Sequence, residues 1–285
     1  MTTMIIKRPG RDRLGEGPVW DAVCGELLWV DILAPCFHRL NLASGRITTI
    51  GVEEALGWIA PREGRADYIA GFRSGFYVLD IETGARRLIG DPEPDRPDNR
   101  LNDAKVDPKG RLWAGSKDDT DRAASGALYR LDPSLSWTRC DDGYGVANGP
   151  TFSPDGRILY HTDSAARTIY AFDLHEDGSL SNRRVWLEFP EAWGYPDGMT
   201  TDAEGCLWVG HWGGGRLSRF APYGALVRSI TLPASNITSC AFGGVDLDRL
   251  FVTSSTIGKE RERHAGALFE VEAGVRGLAA ARFAG

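Results

Sequence analysis

Four short segments of this chain place a polar residue at a near-constant distance from a turn glycine. Asn102, Asn148 and Asp197 each stand eight residues before Gly110, Gly156 and Gly205, and Glu16 stands nine before Gly25. Three or four residues after each glycine comes an aromatic: Trp29, Trp113, Tyr160 or Trp208. The polar positions are separated by 86 (twice 43), 46 and 49 residues. A repeat of that length with a strand–turn–strand core predicts a β-propeller, because one such unit buries too little apolar surface to stand alone and the units must close into a ring. Residues in the same phase of different blades then converge on the central channel. Glu16, Asn102, Asn148 and Asp197 are therefore expected to meet there.

The fold class this implies is all-β, a six-bladed propeller formed by one domain over residues 1–285. The β-rich runs fall at 27–50, 68–89, 104–132, 151–188, 199–231 and 239–271, punctuated by Asp-Pro-x-Gly, Pro-Asp-Gly, Ser-Gly and Thr-Gly turns. No helical period of useful length lies between them. The β-rich start at 3–7 is expected to pair with the last blade and fasten the ring. A seven-bladed ring of the Trp-Asp type is disfavoured, since Trp20-Asp21 occurs once without a repeated Gly-His partner.

Composition narrows the function. The net charge of −6 and the absence of any Lys/Arg run longer than a pair argue against a nucleic-acid partner. Five cysteines (Cys24, Cys36, Cys140, Cys206 and Cys240) with no C-x-x-C read as free thiols of a reducing compartment. The N-terminus has no apolar h-region and no stretch is long enough to cross a bilayer, so the expectation is a cytoplasmic protein with no membrane partner.

Each polar candidate has a turn reading beside the functional one. Asn148-Gly149 is a good hairpin dipeptide, and the run from Tyr195 to Gly198 is a good β-turn. The spacing separates the two readings: the inter-strand turns fall eight residues later, so Asp155 belongs to a turn while Asp197, in the same Pro-Asp-Gly context, opens an innermost strand. Glu16 is framed by glycines that allow close backbone approach. Arg100 precedes Asn102 by two, which on a strand puts both side chains on one side; an ion-pair role for Arg100 stays open. The five histidines show no zinc spacing, no G-x-S-x-G elbow occurs, and His161 with Asp163 reads as blade-core hydrogen bonding. Glu16, Asn148 and Asp197 offer oxygen only, a set suited to one divalent cation: Ca²⁺, Mg²⁺ or Mn²⁺, with Zn²⁺ tolerated. A cation held by three protein groups keeps open positions and can polarise a carbonyl, and a carboxylate such as Asp197 can take a proton. Hydrolysis of an activated carbonyl follows, with Arg100 and Asn102 gripping a polar substrate.

Several segments together resemble the regucalcin and gluconolactonase (senescence marker protein) family: 14–20 (Leu-Gly-Glu-Gly-Pro-Val-Trp), 99–103 (Asn-Arg-Leu-Asn-Asp) with 106–115, 147–150 (Ala-Asn-Gly-Pro), 153–156 and 195–198. The resemblance runs over nearly the whole chain. It implies a six-bladed propeller that hydrolyses a small-molecule sugar lactone with a divalent metal. It further implies Glu16, Asn148 and Asp197 as metal ligands, Asp197 as acid/base, and Arg100 and Asn102 as substrate contacts. Relatives place an acidic substrate contact where 116–120 stands here, which leaves Asp118 and Asp119 as candidates. A non-catalytic metal-binding propeller and an esterase or phosphotriesterase on the same site are the alternatives.

Overall fold

A computed structural model describes residues 3–285 and contains six four-stranded antiparallel sheets. Blade 1 comprises β2 (Gly15–Asp21), β3 (Glu26–Asp31), β4 (Cys36–Asn41) and β5 (Ile47–Gly51); blade 2 comprises β6 (Leu56–Pro61), β7 (Tyr68–Phe72), β8 (Gly75–Leu79) and β9 (Arg86–Gly90). Blade 3 is β10 (Asn99–Val106), β11 (Leu112–Asp118), β12 (Gly126–Leu131) and β13 (Trp137–Tyr144), and blade 4 is β14 (Ala147–Phe152), β15 (Ile158–Asp163), β16 (Thr168–Leu174) and β17 (Leu180–Glu188). Blade 5 is β18 (Tyr195–Thr201), β19 (Leu207–Trp212), β20 (Arg216–Phe220) and β21 (Leu226–Thr231). Blade 6 takes β22 (Asn236–Gly243), β23 (Arg249–Ser255) and β24 (Leu268–Glu272) from the end of the chain and β1 (Thr3–Ile6) from its start, with Thr3 opposite Val271 and Ile6 opposite Leu268. The expected fastening of the ring is thus present. The first strand of each blade packs on that of the next, and β22 packs on β2, which closes the circle.

Three strands lie outside the runs anticipated from sequence: β2, β6 and β13. β6 is buried along its whole length and shows no alternation, so it lacks the period-two signature of a half-exposed strand. The only helical element among the described residues is one 3₁₀ turn, Glu191–Trp193.

The spacing between glycine and aromatic has a hydrogen-bonding cause. Asp107 accepts from the backbone N–H of Lys109 (2.8 Å) and Arg111 (3.0 Å) around the Gly110 turn, and from the indole Nε1 of Trp113 (2.9 Å). Asp202 repeats the pattern with Glu204 N (3.0 Å), Cys206 N (3.0 Å) and Trp208 Nε1 (2.9 Å). The turn must be of fixed length for one carboxylate to satisfy both backbone and indole, and a fully buried tryptophan needs its N–H partnered. Past β24 the chain crosses the underside of the ring. Gly277 N bonds Leu247 O (2.7 Å), Phe283 N bonds Pro61 O (2.8 Å) and Ala284 N bonds Gly110 O (3.0 Å). Phe283 is fully buried against Trp58 and Ala60, so this strap is anchored on both sides of the channel.

Candidate active site

Every innermost strand carries an irregularity at the same level. The pairing with the second strand slips by one residue between Glu16 and Val19, Leu56 and Trp58, Leu101 and Ala104, Asn148 and Thr151, Pro196 and Met199, and Ile237 and Cys240. A bulge leaves one residue unpaired and turns the strand, re-aiming side chains. Asn102 and Asp197 sit inside their bulges, and Glu16 and Asn148 at the entrance to theirs. The four residues expected to converge lie at one end of the channel, each buried.

Close backbone approach at this level depends on glycine. Gly149 holds φ +42, and a Cβ there would lie 2.8 Å from Met199 N and 3.1 Å from Asp197 O. A side chain at Gly198 would collide with Ser239. The residues after Asn148 and Asp197 are therefore small because neighbouring inner strands touch there.

One hydrogen-bonded chain fixes the amide and guanidinium orientations. Arg73 Nη1 and Arg100 Nε bind the two oxygens of Asp119 (2.8 and 2.6 Å). Arg100 Nη1 donates to Asn102 Oδ1 (2.7 Å), Asn102 Nδ2 donates to Asn148 Oδ1 (2.9 Å) and to Ala147 O (2.8 Å), and Asn148 Nδ2 donates to Ser164 Oγ (3.0 Å). Arg100 and Asn102 do face the same side. Arg100 is also ion-paired, and Asp119 is the carboxylate that holds it. Asp118 is spent on its own loop, accepting from Thr120, Arg122 N and Ala123 N. His161 lies under Asn148 with neither ring nitrogen partnered; burial first, then Arg183, push it down to about 3, so it stays neutral.

The carboxylates differ sharply from these satisfied groups. Glu16 Oε2 accepts from Gly17 N (3.0 Å), while Asp197 Oδ1 is buried with no partner. No Lys, Arg or His among the described residues lies within 4.0 Å of either carboxylate. Burial, then Asp197 and Asp103, hold Glu16 well above the usual carboxylate range; burial, then Asp103, do the same to Asp197. Two buried acids, one with an unpartnered oxygen, beside an oriented amide oxygen form a donor set that fits a hard divalent cation. Among the described residues no three Asp, Glu, His or Cys side chains gather into a cage, so a cation here would have to draw on an amide oxygen such as that of Asn148 as well.

Asp103 was not singled out by the spacing, which marks only its neighbour Asn102. Its oxygens accept from Ala104 N and Gly149 N (both 2.8 Å), tying blade 3 to the residue that follows Asn148. Lys105 Nζ reaches across to Met199 O (2.8 Å) on blade 5. These two form a floor between the polar end of the channel and an axial cavity of about 290 Å³ above the C-terminal strap. On the site side, a cleft of about 250 Å³ opens beside Arg100 between Glu54, Arg73, Arg96 and Asn99.

Residues 14–256 match the family described as SMP-30/Gluconolactonase/LRE-like region. The chain is 36% identical to 6-deoxy-6-sulfogluconolactonase of Pseudomonas putida, over 99% of this chain and 98% of that protein. It is 35% identical to regucalcin of Xenopus laevis, over 96% and 95%. Among solved structures, the calcium-binding protein regucalcin of Agrobacterium tumefaciens superposes with a TM-score of 0.91 at 28% identity, covering 98% of this chain and 96% of that one. The ring thus has counterparts over nearly its full length, and the chain belongs to the SMP-30/gluconolactonase/LRE-like family.

Proposed function

We propose that this protein is a metal-dependent sugar lactonase that opens an aldonolactone to its aldonic acid. The observation that carries the reading is the pair of buried carboxylates, Glu16 and Asp197, with an orphaned oxygen on Asp197 and the oriented oxygen of Asn148 beside them. Relatives named for lactone hydrolysis and for calcium binding support it.

Glu16, Asn148 and Asp197 would hold one divalent cation: Ca²⁺, Mg²⁺, Mn²⁺ or Zn²⁺. Bound there, it would supply Lewis acidity and ease the ionisation of water. The chain's own residues do the rest. Arg100, locked by Asp119 and Asn102, keeps its Nη2 free to donate to the lactone oxygens, while Asn102, both of whose amide hydrogens are committed to Ala147 O and Asn148 Oδ1, would meet the substrate as an acceptor through Oδ1. Asp197 takes the proton released by attacking water and returns it to the leaving alkoxide, which becomes the hydroxyl of the opened acid.

Residues 1–285 act as one domain, consistent with a ring whose last blade needs both ends of the described chain. No helix of the described residues is long and apolar enough to cross a membrane, and the free state of all five cysteines fits a cytoplasmic setting. Proton release from a panel of aldonolactones, with and without chelator, tests the proposal. Turnover that stops on chelation and returns with a divalent cation is expected. Cation binding without turnover on any lactone would favour a regulatory metal-binding propeller instead, and turnover of aryl or phosphate esters alone an esterase or phosphotriesterase.

A further inference from the structure

The rim above blades 4 and 5 holds an arginine without an acid. Arg167 lies in the β15–β16 turn at φ +55, a backbone region that non-glycine residues seldom adopt. Its N–H bonds Ser164 O (3.0 Å), and Ser164 Oγ is the group that accepts from Asn148. Its guanidinium carbon stands 4.3 Å from the ring centroid of Tyr195, an exposed residue that opens β18 two places before Asp197. One pair therefore bridges the two blades that carry Asn148 and Asp197. Arg167 Nε is buried with no partner, its terminal nitrogens make no hydrogen bond within the protein, and no carboxylate among the described residues lies within 4.0 Å of it. Nearby arginines are spent: Arg73 and Arg100 on Asp119, and Arg183 on Asp141. Exposed Glu188 and Glu191 precede Tyr195 but do not reach Arg167.

A planar guanidinium laid on an aromatic ring loses little further freedom when it binds, and its fork of N–H donors matches an oxyanion. Only Nε is shut away from solvent, so the terminal N–H groups stay open at the rim to an incoming anion. We propose that Arg167, backed by Tyr195, is an anion subsite of the active site that reads a negatively charged substituent on the sugar lactone. The substituent is a carboxylate, sulfonate or phosphate at the end of the carbon chain remote from the reacting carbonyl. The proposal rests on the lactonase reading for its substrate, yet anion recognition can be measured without turnover.

The test pairs kinetics with binding. Hydrolysis of neutral gluconolactone is compared with that of lactones bearing a terminal carboxylate, sulfonate or phosphate. Calorimetry then follows a neutral hexitol and its terminally charged counterparts, which cannot be hydrolysed. The charged compounds are expected to show kcat/KM and affinity roughly tenfold higher than the neutral ones, in line with one charge-assisted contact. Arg167→Gln should bring that ratio close to one, Arg167→Lys should restore part of it, and Tyr195→Phe should keep more of it than Tyr195→Ala. The ranking of carboxylate against sulfonate and phosphate identifies the group preferred. Equal handling of charged and neutral compounds by the wild-type protein, or a ratio that survives Arg167→Gln, overturns the subsite. If no lactone is turned over but the charged hexitols still bind through Arg167, the subsite stands and the lactonase reading falls.

Discussion

Blades 1 and 5 each carry an acid at the site and a second acid five positions on, at or just past the end of the inner strand, and their fates are opposite. Glu16 and Asp21 share β2, and Asp197 is followed five residues on by Asp202 at the far end of β18. Asp202 is fully buried yet saturated by two backbone N–H groups, Trp208 and Arg219. Asp197, equally enclosed, keeps an oxygen with no partner. Burial pushes Asp21 upward, but the hydrogen bonds from Tyr68 and Arg282 outweigh it and hold the group below its ordinary 3.8. Glu16 is held well above its own ordinary value. One end of the channel is thus built for stability, and the other keeps charge in reserve. The difference comes from donors supplied by the following turn and by side chains of neighbouring strands and the C-terminal strap, since residue type and depth are nearly the same.

The comparison breaks most decisively at blade 5. Asp197→Ala is expected to stay folded and to lose on the order of 10²–10⁴-fold in kcat. Asp202→Ala is expected to lose about 1–3 kcal/mol of stability by leaving Trp208 Nε1 and the turn's backbone N–H groups without an acceptor while Arg219 keeps Glu204, with per-molecule activity retained in the folded fraction. Chemical denaturation beside lactone kinetics measures both. Matching defects in the two variants would show that the ends are not functionally distinct.

Arg100→Ala comes next. A charged hydrogen bond is worth about 1.5–3 kcal/mol, so kcat/KM should fall roughly 10- to 150-fold while cation affinity stays near normal. A calorimetric cation titration run with the kinetics separates the cases. Lost cation affinity would mean that Arg100 acts only by orienting Asn102 and Asn148.

A smaller effect sharpens the contrast through pH. Because Glu16 and Asp197 titrate above their unfolded values, the metal-free folded protein holds protons that the unfolded chain has released. Its stability should therefore fall as pH rises from the ordinary carboxylate range through the raised values. Asp21 works the other way, its contribution being present above the unfolded value and lost as pH falls. Thermal melts of chelated protein should show a downward slope toward neutral pH that is reduced in Asp197→Asn and reversed by added cation. A flat profile in the parent protein would remove the stored-charge account.

The mildest change is Asp155→Ala. Asp155 shares the Pro-Asp-Gly context of Asp197 but lies exposed in the β14–β15 turn, accepting from Ser153 Oγ (2.6 Å) and Arg157 N (3.2 Å). About 0.5–1.5 kcal/mol of stability should be lost, with turnover intact.

The sequence was most legible where a turn had to be of fixed length. Asp107 and Asp202 tie their glycines to Trp113 and Trp208, so the repeat is visible in the spacing and locates Asn102 and Asp197 by implication. Blade 2 follows no such rule: Gly57 stands at its bulge, and Leu56–Pro61 is buried throughout, which left that strand unseen. The bulges themselves were invisible because they are a relation between two strands. Asp103 was missed for that reason. It lies beside Asn102 in the chain, and only the bulge brings its carboxylate to Gly149 N on the next blade. The pairing of Arg100 with Asp119 likewise depends on a loop conformation that no periodicity encodes.

The pairing of β1 with β24 has a consequence for synthesis. In chain order Thr3–Ile6 is made before every other strand described and must wait for Leu268–Glu272 before blade 6 has its fourth strand. Residues 16–197 supply every candidate ligand, yet the circle closes only where β22 packs on β2, in the blade that β1 and β24 complete. A nascent chain therefore carries paired acids and an exposed strand edge together, with neither held in place. Closure in this architecture needs both strands that meet in blade 6, and a chain lacking Leu268–Glu272 should be inert and prone to aggregate rather than partly active.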